Sequence, residues 1–268
     1  MALLEIPNEV LLLIAENLSV RDLSHFLLTS RHLSNLLASG LHDFAVQDVG
    51  DQTALQWAAE RNHAPLAELV ISKGAQLYPT CGSFRDPLNM AITHDSPDAF
   101  RVLIKHGAQI SPAVGSPSLL HMAAECGAPR VIKVLMEMGA VTDMTRTNSL
   151  GMMPAHLAAR WGGPASMAAL LEAGFDISLQ TTGGNTVLHE AIYGPPGTLE
   201  YLLSEGRDTG IIDVQNNEGN TALHLAVQSA IIGGVRGVNL VWLLENSGAS
   251  QKVNACGYTP FEQPGYIQ

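Results

Sequence analysis

Residues 118–140 read SLLHMAAECGAPRVIKVLMEMGA. Ser118 opens the stretch as a helix N-cap candidate. The small pair Ala123-Ala124 lets a neighbouring helix approach closely. A second apolar segment carries Leu135, and Gly139 stands where a left-handed helix C-cap belongs. The stretch therefore predicts a short helical hairpin that cannot bury both apolar faces alone. The same pattern starts at residues 53, 86, 118, 153, 186 and 221, with a fragment at Thr259. Successive starts lie 33, 32, 35, 33, 35 and 38 residues apart. Leu69, Leu103, Leu135, Leu170 and Leu202 recur in the second segment, and Gly74, Gly107, Gly139, Gly174, Gly206 and Gly248 close it. Stacking such units makes one continuous core.

This T-x-L-H-x-A-A…LL-x-x-G-A pattern resembles the ankyrin repeat over roughly residues 50–265. The resemblance implies an all-α solenoid of six repeats plus a truncated terminal one, with paired helices, a turn or finger per repeat, and a concave groove. Some positions depart from the motif. Gln56 and Asn89 replace its His, and Asp86 replaces its Thr. The fifth copy is one residue short before Gly206 and carries Pro195-Pro196 between its helices. The sixth holds about six extra residues in SAIIGGVRGV.

Composition narrows the function. The 268 residues are 46% hydrophobic and 5% aromatic, which favours helices. Fourteen basic against 25 acidic residues give a formal charge of −11, so nucleic acid and anionic membrane surfaces are poor partners. Cys81, Cys126 and Cys256 are odd in number and widely spaced, which fits a reducing, intracellular setting, cytoplasmic or nuclear. No stretch approaches the ~20 apolar residues that span a bilayer. The first residues make a poor secretory signal, because no Lys or Arg precedes Arg21 and Glu9 and Glu16 flank a short apolar run.

No catalytic constellation, metal site or cofactor site is expected. His121, His156, His189 and His224 recur at nearly the repeat spacing. Stacked repeats set equivalent atoms too far apart to share an ion, so each His is expected to tie its own turn to a neighbour. HEAIY at 189 puts Tyr193 where a zincin needs its second His. DVQNNEG has Glu218 where a calcium loop needs Gly, and reads as a repeat finger. There is no nucleophile elbow and no phosphate-binding glycine loop.

In the ankyrin register, residues after the small pair face the concave groove. They include Arg61, His94, Glu125, Arg160, Trp161, Tyr193 and Gln228. Arg, Trp and Tyr dominate interface hot spots, and Arg160, Trp161 and Tyr193 fall in adjacent repeats, with Met152 and Asn185 expected nearby. The bland alternative is that Trp161 packs into its own repeat.

Residues 1–40 do not match the repeat and read as three short helices, joined to the solenoid (50–268) through residues 41–49. Val10, Ile14 and Leu18 share a face, and Pro7 suits a first helical position. The segment resembles an F-box through Ile6-Pro7, Glu9-Val10, Ile14, Leu18, Asp22-Leu23 and the closing Thr29, Arg31, Leu33 and Leu37. The resemblance, of fungal F-box/ankyrin type, implies that Ile6, Pro7, Glu9, Val10, Ile14, Leu18 and Leu23 dock on the small adaptor of a cullin–RING ubiquitin ligase. The repeats would then present a client protein, the chain being a monomer before assembly. The other reading is that these helices only cap the first repeat.

Overall fold

The computed structural model describes residues 54–72, 74–77, 86–108, 117–204, 210–233 and 235–263. The head expected over residues 1–40, with Ile6, Pro7, Glu9, Val10, Ile14, Leu18 and Leu23, lies outside the described residues. So do the 41–49 junction, Cys81 and Gly206. Among the described residues every regular element is helical. The chain divides into two compact units, Met1–Gln109 and Ile110–Gln268.

Among the described residues, the first unit holds two helical hairpins. They are α1 (Ala54–Glu60) with α2 (Ala64–Ser72), and α3 (Pro87–Thr93) with α4 (Pro97–Lys105). First helices stack on first helices and second on second, over a core that includes Leu88, Ile92, Phe100 and Leu103. Asp86 departs from the motif threonine but does the same work, since its carboxylate accepts the Leu88 N–H at 3.0 Å and caps α3. Ser96 makes no such bond at the start of α4. The preceding repeat supplies it instead: Asn62 Oδ1 accepts the N–H groups of Asp98 and Ala99 at 2.8 and 3.1 Å. One hairpin thus caps the next.

In the second unit, α5 (Leu119–Glu125) pairs with α6 (Pro129–Glu137), and a 3-10 segment follows at Ala140–Thr145. Next, α7 (Pro154–Leu157) runs into a π-helical segment, Ala158–Gly162, and pairs with α8 (Pro164–Glu172). The pairs α9 (Val187–Ala191) with α10 (Thr198–Leu203), and α11 (Ala222–Gly233) with α12 (Val235–Asn246), continue the stack. A 3-10 turn at Pro260–Glu262 rests on α11. Leu120, Ile132, Leu157, Met167 and Leu170 are among the fully buried side chains.

The π segment is less exceptional than its geometry suggests. Gly163 N–H reaches back five residues to the Ala158 carbonyl at 2.8 Å, and Ala128 does the same to Ala123 at 2.9 Å. His63 to Ala58 and Ser96 to Ala91, both at 2.8 Å, repeat the closure in the first unit. Ala58, Ala91, Ala123 and Ala158, each but Ala91 the first residue of an Ala-Ala pair, thus supply the carbonyl that turns the chain into its second helix. Second helices close likewise, Phe175 bonding to the Leu170 carbonyl across Gly174 at φ +93°. At Gly174 an added Cβ would meet nothing, so only its backbone angle calls for glycine. Gly162 differs: its Cβ would stand 2.0 Å from the Ala124 carbonyl oxygen, where two repeats touch backbone to backbone.

The turns between repeats form a ladder. Thr182 N–H bonds to the Gly151 carbonyl, Asn217 to Gly183 and Ala255 to Glu218, at 3.1–3.2 Å. Asn216 Oδ1 holds its own turn by accepting from Glu218 and Asn220 N–H, both at 3.0 Å, so DVQNNEG is one of these fingers. The histidines join fingers to helices. His189 Nε2 meets the Asn220 carbonyl at 2.9 Å, His224 the Tyr258 carbonyl at 3.1 Å, and His156 the Leu179 carbonyl at 3.2 Å. A carbonyl can only accept, so Nε2 carries the proton. In His189 and His224, Nδ1 then accepts the backbone N–H of Thr186 or Thr221, both at 3.1 Å. The neutral imidazole is bonded at both nitrogens.

Apart from Gly234, which lies outside the described residues, the extra residues of the sixth repeat are helical. They lengthen α11 and α12 to 12 residues each, against 7 and 9 in α5 and α6.

Two outcomes follow for stability. Gly162→Ala should cost about 3 kcal/mol through the backbone clash, and Gly174→Ala about 1 kcal/mol through its left-handed angle alone, both read from urea denaturation. Burial lowers the pKa of His121, His189 and His224, and pushes His156 down from 6.5 to about 4. The unfolded chain therefore takes up protons first as pH falls. Stability should be full above pH 6.5 and fall toward pH 4, by about 1.4 kcal/mol per unit for His156 at most. Urea midpoints at pH 7 and pH 5 check this, and His156→Gln should flatten the slope.

Candidate partner-binding site

Arg160 and Trp161 lie in the π-helical segment Ala158–Gly162, and Tyr193 takes the place of Arg160 one repeat later. The five-residue closure at Ala158 turns the backbone here and lifts these side chains off the core. The Arg160 guanidinium carbon lies 5.0 Å from the Trp161 ring centroid and 5.2 Å from that of Tyr193. Both distances suit cation–π attraction. Trp161 is 45% and Tyr193 47% exposed, so Trp161 does not pack away into its own repeat.

What fixes Arg160 is Glu190. Arg160 Nη1 donates to Glu190 Oε2 at 2.8 Å. The glutamate side chain is only 3% exposed against 36% for the arginine. Asn185 Nδ2 donates to the other oxygen, Oε1, at 2.8 Å, and Asn216 Nδ2 donates to Asn185 Oδ1 at 3.0 Å. A chain of charge-assisted and neutral hydrogen bonds thus runs through three repeats and ends under two aromatic rings. Burial is the main influence raising the Tyr193 phenol pKa, with Arg160 opposing and Glu190 and Glu218 adding to it. Arg236, at the start of the lengthened α12, donates to the Gly194 carbonyl beside Tyr193.

Of the expected groove residues, the structure brings Arg160, Trp161 and Tyr193 together, and Asn185 joins them through Glu190. Glu125 and Gln228 are exposed at equivalent positions of the second unit, while Arg61 and His94 are exposed in the first unit. Arg61 stands 3.6 Å from Glu60. Met152, expected nearby, is buried and belongs to the core. Glu190 was not anticipated, although the sequence carries a signal for it. The residue after the motif histidine is apolar elsewhere, as in Met122, Leu157 and Leu225, and an acid in that interior slot calls for a partner. Among the described residues no group of three or more His, Cys, Asp or Glu is placed to hold a metal ion. No helix among them is long and apolar enough to cross a membrane.

The family model for ankyrin repeats (3 copies) matches residues 12–113 and 120–213, and the chain belongs to the ankyrin-repeat family. It is similar to the solved ankyrin repeat domain of Bcl-3, a member of the IkappaB family, with a TM-score of 0.57 at 23% identity. That match covers 79% of this chain and 93% of the other, and bears on the fold. Human inversin is 30% identical over 194 residues, covering 71% of this chain and 16% of inversin. The human transient receptor potential cation channel subfamily A member 1 is 29% identical over 185 residues, covering 66% of this chain and 16% of the channel. Mouse ankyrin repeat and SOCS box protein 16 is 30% identical over 211 residues, covering 66% of this chain and 46% of that protein. The chain thus spans less than half the length of each of these three relatives. Its repeats make it a protein–protein interaction module.

Arg160→Ala should leave the buried Glu190 carboxylate without its counter-charge and cost about 2 kcal/mol, less than the ~3–5 kcal/mol of a fully buried pair because Arg160 is partly solvated. Arg160→Lys should restore part of this. Thermal denaturation of the two variants checks the order.

Proposed function

We propose that this chain is the substrate-recognition subunit of an SCF-type cullin–RING ubiquitin ligase. The repeats capture a client protein on the face that displays Arg160, Trp161 and Tyr193. The N-terminal segment docks on the adaptor through Ile6, Pro7, Glu9, Val10, Ile14, Leu18 and Leu23. The observation that carries client capture is the half-exposed pair of aromatic rings clamped to one arginine, an arrangement of hot-spot residue types held rigid before any partner arrives. The F-box resemblance supports the adaptor half. The mouse relative, named for ankyrin repeats and a SOCS box, shows such repeats sharing a chain with another box-type module. Catalysis is by proximity: binding raises the effective concentration of client lysines near a ubiquitin-loaded enzyme, and this chain supplies no chemistry of its own.

A second reading is a ligase-independent ankyrin scaffold. It is favoured by the ankyrin model's first match, which begins at residue 12, inside the segment that resembles an F-box. In that reading the N-terminal helices extend or cap the repeats.

Co-purification with the adaptor and cullin separates the two. The ligase reading expects both to accompany the wild-type chain and to be lost from Pro7→Ala/Ile14→Asp. Absence of the adaptor from the wild-type complex favours the scaffold. Client capture, followed by photo-crosslinking from an exposed groove position such as Gln228, should fall at least tenfold in Trp161→Ala/Tyr193→Ala.

A further inference from the structure

The recognition face has a chemistry that narrows its ligand. Among the described residues, the indole N–H of Trp161 and the phenol O–H of Tyr193 make no hydrogen bond within the chain, and the guanidinium of Arg160, beside both rings, donates its hydrogen bond to Glu190. The platform therefore offers several free donors and, in the phenol oxygen of Tyr193, a single free acceptor on these three side chains. Its charge is already neutralised, because Glu190 is paired with Arg160 at 2.8 Å. The surroundings are no invitation to an anion. Glu125 is exposed at the equivalent position one repeat earlier, Glu218 acts on Tyr193 electrostatically, and the whole chain carries −11. What fits is an uncharged ligand that is rich in acceptors and has flat apolar surface to lay on aromatic rings.

We propose that the Arg160–Trp161–Tyr193 platform binds a proline-rich segment in the polyproline II conformation, an assignment that rests on the client-capture reading above. A polyproline II strand has no internal hydrogen bonds, so every carbonyl is free to accept, and prolines carry no competing N–H. Its rings stack on aromatic faces, and it is ordered before binding, which keeps the entropic cost low. The spacing also suits it. Both ring centroids lie near one guanidinium carbon, so they are at most about 10 Å apart, a span that residues three apart on a polyproline II strand, about 9 Å, cover. Trp161 and Tyr193 supply the two faces and donors. Arg160, beside both rings, is a further donor. Glu190 is the specificity-determining residue, since its charge is what keeps the arginine from selecting carboxylates.

The test uses the full chain, with an acetylated, amidated decaproline as probe and a Gly/Ser decapeptide carrying four glutamates as the acidic arm. The three tryptophans, Trp57, Trp161 and Trp242, give three indole N–H signals in a 15N-correlated spectrum, and Trp161→Phe assigns the one that matters. Decaproline should shift the Trp161 signal saturably and leave the other two in place. Trp161→Phe/Tyr193→Phe should weaken binding at least tenfold by calorimetry, with thermal unfolding confirming that the variant folds. Glu190→Gln keeps hydrogen-bonding groups but frees the arginine's charge, and should bring in the acidic peptide. The proposal is overturned if millimolar decaproline leaves the Trp161 signal unmoved, if all three signals move alike, or if the acidic peptide binds the wild-type chain as well as decaproline does. Should decaproline fail while client crosslinking still needs Trp161 and Tyr193, the ligand class falls and the capture reading stands. Should crosslinking ignore both residues, the capture reading falls as well.

Discussion

The hydrogen bond from a buried histidine to the carbonyl of the next turn is the contact on which the second unit depends. His156, His189 and His224 each reach one turn further along the chain, and His189 and His224 also hold the start of their own helix. A single neutral ring thereby fixes a helix start and the distance to the next finger. The asparagine and threonine side chains of the fingers then need only shape their own turns. The first unit lacks these histidines at Gln56 and Asn89, and joins its hairpins by another route, the Asn62 side chain capping α4. Both solutions place a polar side chain of one repeat where the next repeat has orphan backbone groups.

The cluster of Arg160, Trp161 and Tyr193 grows out of the same lattice. The helix that carries Arg160 must end at the five-residue closure, and the close backbone contact at Gly162 sets where that end lies. Tyr193 is at the equivalent position one repeat on, so the stacking distance brings its ring to the arginine. Glu190 and Asn185 complete the support from within the stack. Two exposed rings are thus held by buried groups, and little of their order has to be created on binding.

Much of this was legible in the sequence because repetition averages out local ambiguity. Six copies of one pattern placed the helices, the closing glycines and the histidine ties. The register alone brought Arg160, Trp161 and Tyr193 onto one face. Three features escaped it for separate physical reasons. Glu190 sits in an apolar slot whose rule it breaks, and its partner is set by stacking rather than by spacing along the chain. Met152 lies next to a finger, but the turn directs it inward. The long insert in the sixth repeat has the glycines of a loop, yet Gly237 sits where a Cβ would collide with the Ala230 backbone, so its glycine permits a close helix crossing and not a bend.

That lengthened pair has a consequence for how such a chain changes over generations. Two antiparallel helices grew together, so the added length went out along one arm and came back along the other. The spacing of the finger ladder stayed as it was, and Ala255 still meets Glu218. The end of the hairpin opposite the fingers is the free margin of the repeat, where residues can be gained in matched numbers without shifting any neighbour. Variation can therefore accumulate beside Tyr193, next to the exposed rings, while the lattice that holds them is left untouched.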